Sequence, residues 1–599
     1  MYAAVLIAAG MVWFNGVVGA WTTQDGPPRL DKKLIEYGWD VPDTTYVRDH
    51  IREMEQRPFD GIIFRVRPGL LVLSPKPFDE QALQADLEAA AQIKWEKFTD
   101  NFVIMWAASE QDWFNDEHWQ AIEHNVRLIA RIARLARCVG LCFDPEPYGP
   151  NPWVYANAAH HDTKTFAEYE QMARQRGAQF IRAIRAEMPK CILLTFFQLS
   201  LFPDLLRPMD PAERAKRLES HHYGLLPAFL NGMLEAAEDA VTIVDGNESA
   251  YYYTNAQQYL SVYQLITQRA LLLIDPGLWL RYRTQVQVGQ ALYIDQYFGL
   301  RQNVKTYGNY MSPDERARWF EHNIYWALTT TDKYVWCYSE RMNWWKNQDV
   351  PPGCEEAIRS ARRKVENGEP LGFDLEPIIE KARERQRAEL QARVKTRSAT
   401  VSRLPQNTPP PKLDGDLSDA AWSTAAGLEP FLPLASRSEP AVAETRVWVT
   451  YDSEKLYVAF RCSEPQPEKI AVAGTARDED IWLGDCVEVM VCEPGKTLPF
   501  YHFIINPNGV FWDAVHVKAQ EADTAYNPSW ERAVGRGEKD WTVEMAIPWR
   551  EMKMPAPSEG TTLRVNFCRQ RTNGHELTSW STMVNGFLEP DLFGTLTFK

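Results

Sequence analysis

Between residues 30 and 380, short apolar runs alternate with longer amphipathic segments, and that rhythm admits few folds. The runs are KLIEYGW (33–39), DGIIFRV (60–66), NFVIMWA (101–107), VGLCFD (139–144), CILLTFF (191–197), AVTIVD (240–245), QALYIDQ (290–296) and KYVWCYSE (333–340). Between two of them, Ile122, Val126, Ile129, Ala133 and Ala136 recur at helical spacing, with Arg127, Arg131 and Arg134 on another face. Eight strands alternating with helices predict an α/β fold, a (β/α)₈ TIM-type barrel with insertions over residues 21–380. An open doubly wound sheet is the competing architecture. It lacks its usual sequence support, because no GxGxxG or Walker-type loop follows an early strand.

The rhythm changes after a charged helical stretch and the proline-rich TVSRLPQNTPPPKLDG, so 381–409 reads as a charged helix and linker. Beyond it, segments such as ETRVWVTYD, KLYVAFRC, CVEVMVCE and WTVEMAIPW alternate with period two, which predicts a C-terminal antiparallel β-sandwich over 410–599. A chain of 599 residues is long enough for both domains.

Chemistry in a barrel of this type collects where the strands end. The proposed ends supply Trp39 and Asp40, Trp106, Asp144 and Glu146 with Tyr148, Asp245 and Glu248 with Tyr252, Tyr293 and Asp295, and Glu340 followed by Trp344. Carboxylates interleaved with aromatic rings suit a sugar cleft. A carboxylic acid protonates the glycosidic oxygen, a second carboxylate acts on the sugar carbon or on a water, and flat rings stack on apolar sugar faces. In FDPEPY, Asp144 and Glu146 are two residues apart, so an extended backbone turns both the same way, and two neighbouring carboxyls resist ionising together. Glu146 is the expected general acid/base, assisted by Asp144, with Glu248, Asp245 or Glu340 as the opposing carboxylate in that order.

Residues 410–599 resemble a family 9 carbohydrate-binding module through KLDGDLSDAAW, VTYDSEKLYVAFRC, RDEDIWLGDCVEVMV, FIINPNGVFWDA, WTVEMAIPW and FGTLTF, met in family order. That resemblance implies a sandwich that holds a sugar between two tryptophans, here Trp482 and Trp580, with Asp478, Glu479 and Asp480 as hydroxyl acceptors. It also allows a structural calcium ion. FDPEPY faintly resembles the strand-four DxE of family 18 chitinases, but that family's earlier aspartates fall on Val139 and Cys142. The barrel is therefore expected to be a glycoside hydrolase of unidentified family.

A net charge of −15 disfavours nucleic acid or an anionic membrane surface as the main partner, and suits neutral or cationic glycans better than heavily sulfated ones. The nine cysteines mostly sit in apolar runs, no CxxC pair or HExxH motif occurs, and no catalytic metal or other cofactor is expected. Residues 1–20 resemble a signal peptide that ends in Val18-Gly19-Ala20, which predicts a secreted or periplasmic protein. No later stretch is apolar for long enough to span a membrane. The leading expectation is cleavage of glycosidic bonds in a poly- or oligosaccharide. A noncatalytic glycan-binding surface protein with a degenerate barrel and a polysaccharide lyase are the alternatives.

Overall fold

The computed structural model describes residues 31–67, 71–107, 112–301, 305–428, 430–437 and 440–599. The expected signal peptide at 1–20 lies outside them. Nine strands belong to the first domain. In chain order they are β1 (Lys33–Gly38), β2 (Gly61–Phe64), β3 (Phe102–Trp106), β4 (Gly140–Asp144), β5 (Cys191–Thr195), β6 (Val241–Asp245), β7 (Val286–Val288), β8 (Gln290–Tyr293) and β9 (Tyr334–Ser339). They hydrogen-bond in the order β7-β6-β5-β4-β3-β2-β1-β9-β8, and β1 pairs in parallel with both β2 and β9. The two ends of this order are consecutive in the chain, separated only by Gly289, so the sheet comes round on itself as a TIM-type barrel requires.

The seventh strand expected over 290–296 is strand only at Gln290–Tyr293, and the further short strand β7 precedes it across Gly289. At Gly289 the backbone approaches β6 too closely for a side chain. Its N–H donates to the Asp245 carbonyl (2.8 Å), and a Cβ there would meet Val244 Cγ1 at 2.9 Å. Asp295 falls in the following helix, Ile294–Phe298.

Strand register fixes which side chains face the barrel interior. Tyr37 pairs with Tyr338 and Trp106 with Asp144, whereas Phe143 pairs with Thr195 and Thr195 with Asp245. Tyr37 stacks on Tyr338 (centroids 5.6 Å apart) and packs on Phe196 (4.8 Å), which stacks on Trp336 (4.1 Å), so this set is interior. Phe143 instead packs on Phe180 and Phe229 of the surrounding helices, so its register partners face outward.

The helix layer follows the apolar periodicity. Helix Asp116–Leu135, capped by the Asn115 side chain, buries Ile122, Val126, Ile129 and Ala133. Arg127, Arg131 and Arg134 pair with Glu123, Glu80 and Glu187 at 2.6–3.0 Å on its outer side. Helices Phe166–Glu187 and Leu226–Ala237 meet through glycines. A Cβ on Gly177 would lie 2.0 Å from the Phe229 carbonyl oxygen, and one on Gly232 would lie 1.8 Å from that of Arg174.

The C-terminal domain is a sandwich of two largely antiparallel sheets. One runs through Ser398–Val401, Gly594–Phe598, Thr562–Arg571, Cys486–Cys492, Phe500–Ile505 and Phe511–Lys518, and the other through Ala426–Leu428, Thr445–Tyr451, Lys455–Ser463, Asp540–Pro548 and Glu531–Arg536. Alternate residues of both, among them Val447, Val449, Val489, Phe503, Met545 and Phe567, fill the space between. The charged stretch forms the helix Glu376–Arg393, and within the linker that follows Ser398–Val401 pairs in parallel with Gly594–Phe598. All nine cysteines are buried and unpaired, and no helix among the described residues is long and apolar enough to cross a membrane.

The glycine contact between the two helices yields a direct expectation. Gly232→Ala forces the helices apart and lowers barrel stability by about 1–3 kcal/mol, measurable as a shift in the urea unfolding midpoint. An unchanged midpoint would contradict it.

Candidate active site at the barrel mouth

Alternation carries β4 inward at Asp144, and the chain then turns through Pro145 to Glu146 and Tyr148. The Asp144 Oδ1 accepts the Glu146 backbone N–H at 2.9 Å, which fixes this turn, and the Trp153 indole N–H caps the Pro145 carbonyl at 2.8 Å. Glu248 arrives from β6, two residues beyond Gly246. Its N–H donates to the Phe196 carbonyl, and the Trp336 indole N–H holds the Gly246 carbonyl at 2.8 Å.

These carboxyls sense one another. Burial, and then the charges of Glu146 and Glu248, push Asp144 well above the usual carboxylate range, against the opposing hydrogen bond from the Glu146 N–H. Burial and the Glu146 charge raise Glu248 to about 7. Tyr37, Tyr148, Tyr223 and Tyr251 surround the acids. Each hydroxyl is raised first by burial and then by these carboxylates: by Asp144 at Tyr37, by Asp144 and Glu146 at Tyr148, by all three at Tyr223, and by Glu248 at Tyr251. Tyr251 stacks on Tyr338 (5.6 Å, 11°), which continues the aromatic floor. An adjoining cleft of about 540 Å³ is lined by Tyr37, Trp39, Arg65, Trp106, Tyr148 and Tyr338 among others. Trp39 is 65% exposed there.

Of the carboxylates read from strand ends, Asp144, Glu146 and Glu248 therefore come together. Glu340 stands beside Tyr338, whose hydroxyl lies 3.4 Å from its Oε1. Asp245 requires correction. Its register places it on the helix side of the wall, where it accepts the Gln198, Ser200 and Asn247 N–H groups and the Ser200 hydroxyl. A carboxylate held by four donors anchors loops and has no face left for a sugar.

Several predicted sugar contacts are also redirected. Trp344 is fully buried, edge-on to Phe59 (5.1 Å) with the Arg57 guanidinium over its ring, and so belongs to the packing and cannot be a stacking platform. Asp40 does not line the cleft; it accepts the Trp344 N–H at 2.7 Å and faces Glu36, a carboxyl the sequence reading passed over. Glu36 is 0% exposed, and among the described residues neither of its oxygens has a hydrogen-bond partner. Burial holds Glu36 well above its ordinary range and raises Asp40 to about 6. Tyr293 ends β8 and Asp295 lies in the next helix, both buried. Tyr252 is exposed, edge-on to Tyr251.

In the sandwich, the paired-tryptophan clamp is not formed. Trp580 is 1% exposed inside the core against Phe567, and a Cβ on Gly594 would touch its ring. Trp482 is half-buried in the turn Ile481–Leu483, edge-on to Trp512 at 5.4 Å. Glu479 is spent on the Thr475 and Ala476 N–H groups of its own loop. Among the described residues, no group of three or more His, Cys, Asp or Glu side chains is placed to hold an ion.

Residues 413–599 match the model of the carbohydrate family 9 binding domain-like family. The C-terminal domain is a family 9-like carbohydrate-binding domain. It is similar in fold to a family 9 module from Caldicellulosiruptor kristjanssonii in complex with cellotriose (17% identity, 34% of this chain and 94% of that one, TM-score 0.24). The barrel is similar to a glycoside hydrolase family 5 enzyme from Prevotella bryantii (12% identity, 56% and 96% covered, TM-score 0.33) and to a family 18 chitinase from Pseudoalteromonas aurantia (12%, 55% and 100%, TM-score 0.29). No curated protein matches the chain in sequence.

The raised carboxyls predict a pH dependence of stability. A group whose folded pKa exceeds its unfolded value stabilises fully below the unfolded pKa and loses that contribution as pH rises through the folded one. For Glu248 this window runs from 4.5 to about 7. The thermal midpoint of Glu248→Gln should therefore gain on the parent as pH rises across that window, read by scanning calorimetry. A pH-independent difference would argue against the buried, charge-coupled Glu248.

Proposed function

We propose that the barrel is a glycoside hydrolase and that Glu146 and Glu248 form its catalytic pair. The observation that carries this reading is the convergence of Asp144, Glu146 and Glu248 on one aromatic-lined barrel mouth, close enough that the Glu146 charge raises both of the others. Glycosidic cleavage needs one carboxyl that holds a proton near neutral pH and another that supports positive charge on the sugar carbon. Glu248, raised to about 7, has the pKa of a proton donor. Glu146 then faces the sugar carbon or an attacking water, which reverses the role expected from the sequence. Asp144, buried and held above the usual carboxylate range, positions Glu146 through its backbone N–H.

The aromatic floor of Tyr37, Tyr251, Trp336 and Tyr338 supports the same reading, since packed rings exclude water from the acids beside them. The family 9-like domain fits a role in holding the polysaccharide near the barrel, and such a substrate goes with an exported protein.

Glu146→Gln and Glu248→Gln should each lower kcat on a responsive glycan by about 10²-fold or more without loss of fold. In Glu146→Gln, any residual activity should show its basic limb moved to lower pH, because the charge that raises Glu248 is gone. Reducing-end release from a polysaccharide panel, followed across pH, measures both. Full activity in both variants would overturn the assignment.

A further inference from the structure

We propose that Arg65 recognises an acidic group on the glycan, so that the substrate is a largely neutral saccharide bearing isolated carboxylates or sulfates. The inference rests on the hydrolase reading of the same mouth and adds the class of sugar it takes.

Arg65 directly follows β2. Ile62 is in register with Glu36, whose neighbour Tyr37 is interior, so Ile62 faces outward, Ile63 inward, Phe64 outward onto Trp95, and Arg65 inward. Its backbone is pinned there by the N–H to the Pro42 carbonyl (3.0 Å) and a bridge to Asp43. The half-buried side chain lines the cleft with Trp39, Trp106 and Tyr148.

Several other arginines of this domain are paired with carboxylates. Arg67 lies 3.5 Å from Asp43, Arg57 pairs with Glu355, Arg174 with Glu235 and Asp275, and Arg176 with Asp116. Among the described residues, no carboxylate pairs with Arg65. A guanidinium left unpaired between aromatic walls is poorly solvated, and a carboxylate or sulfate offers it two parallel hydrogen bonds that low local polarity strengthens. A neutral sugar would leave it unsatisfied.

The position of the acids limits where that group can sit. The Glu146 charge, which raises both of its neighbours, repels an anion in the subsite where the bond breaks, so the acidic sugar belongs on the Arg65 side, against Trp39 and Trp106. A chain of net charge −15 also repels a densely charged polymer at long range, which leaves sparsely decorated glycans as the class both features accept.

The test is titration calorimetry on the full-length Glu146→Gln chain, with and without Arg65→Gln. Three probes are used: a glucuronate-decorated oligosaccharide, the same oligosaccharide after carboxyl reduction, and the reduced form bearing a sulfate ester. With Arg65 present, carboxyl reduction should weaken binding by about tenfold or more, and without it by less than about twofold. Recovery by the sulfated probe marks sulfate as an accepted group, and its failure restricts the site to carboxylates. Arg65→Lys, which keeps the charge and loses the paired donors, should fall between. Equal binding of acidic and reduced probes in the presence of Arg65, no binding of the acidic probe, or a preference that survives Arg65→Gln would each overturn the proposal. Full hydrolytic activity in Glu146→Gln and Glu248→Gln would sink the hydrolase reading separately, and would leave any Arg65-dependent preference standing as recognition alone.

Discussion

The parallel hydrogen-bond ladder decides what this barrel can do, because its register assigns every side chain to the interior or to the helix layer. A shift of one residue along β4 would send Asp144 into the apolar helices and bring Phe143 to the mouth. The same ladder separates two carboxylates that look equivalent in the sequence. Asp144 and Asp245 both close an apolar run, yet they face opposite sides of the wall, one beside Glu146 and Glu248 and the other in a cage of backbone donors.

Aromatic packing turns that register into a rigid platform. Phe196 on Trp336, Tyr37 on Tyr338 and Tyr338 on Tyr251 link the ends of β1, β5 and β9 with the turn after β6. Interlocked rings leave few rotamers open, so the carboxyls keep their separations and their coupling. The same packing withholds water from Glu248 and Asp144, and that desolvation is the first cause of their raised pKa values.

Much of the architecture was legible because periodicity reports burial. Each of the eight apolar runs holds one strand, and the period-two segments became the sandwich. The seventh run misled at its end, where Ile294–Phe298 turns helical, and the short strand Val286–Val288 ahead of it has no apolar run to announce it. Site residues were harder to read. Glu146 and Glu248 follow their strands, so the rule about strand ends found them. Arg65, Tyr37 and Tyr338 sit inside or just past apolar runs, where simple alternation from Tyr37 would have marked them as interior. Trp344, Trp580 and Asp245 looked like ligand contacts because residue type says nothing about which face a side chain takes.

The nine sealed thiols bear on where such a chain can mature. Each is buried, and burial drives their ionisation upward, so reactive thiolate is scarce once the fold is complete. Before that point the same groups are open to oxidants and to mispairing. In an oxidising medium, core collapse would therefore have to outrun crosslinking, since none of these thiols is held in a disulfide.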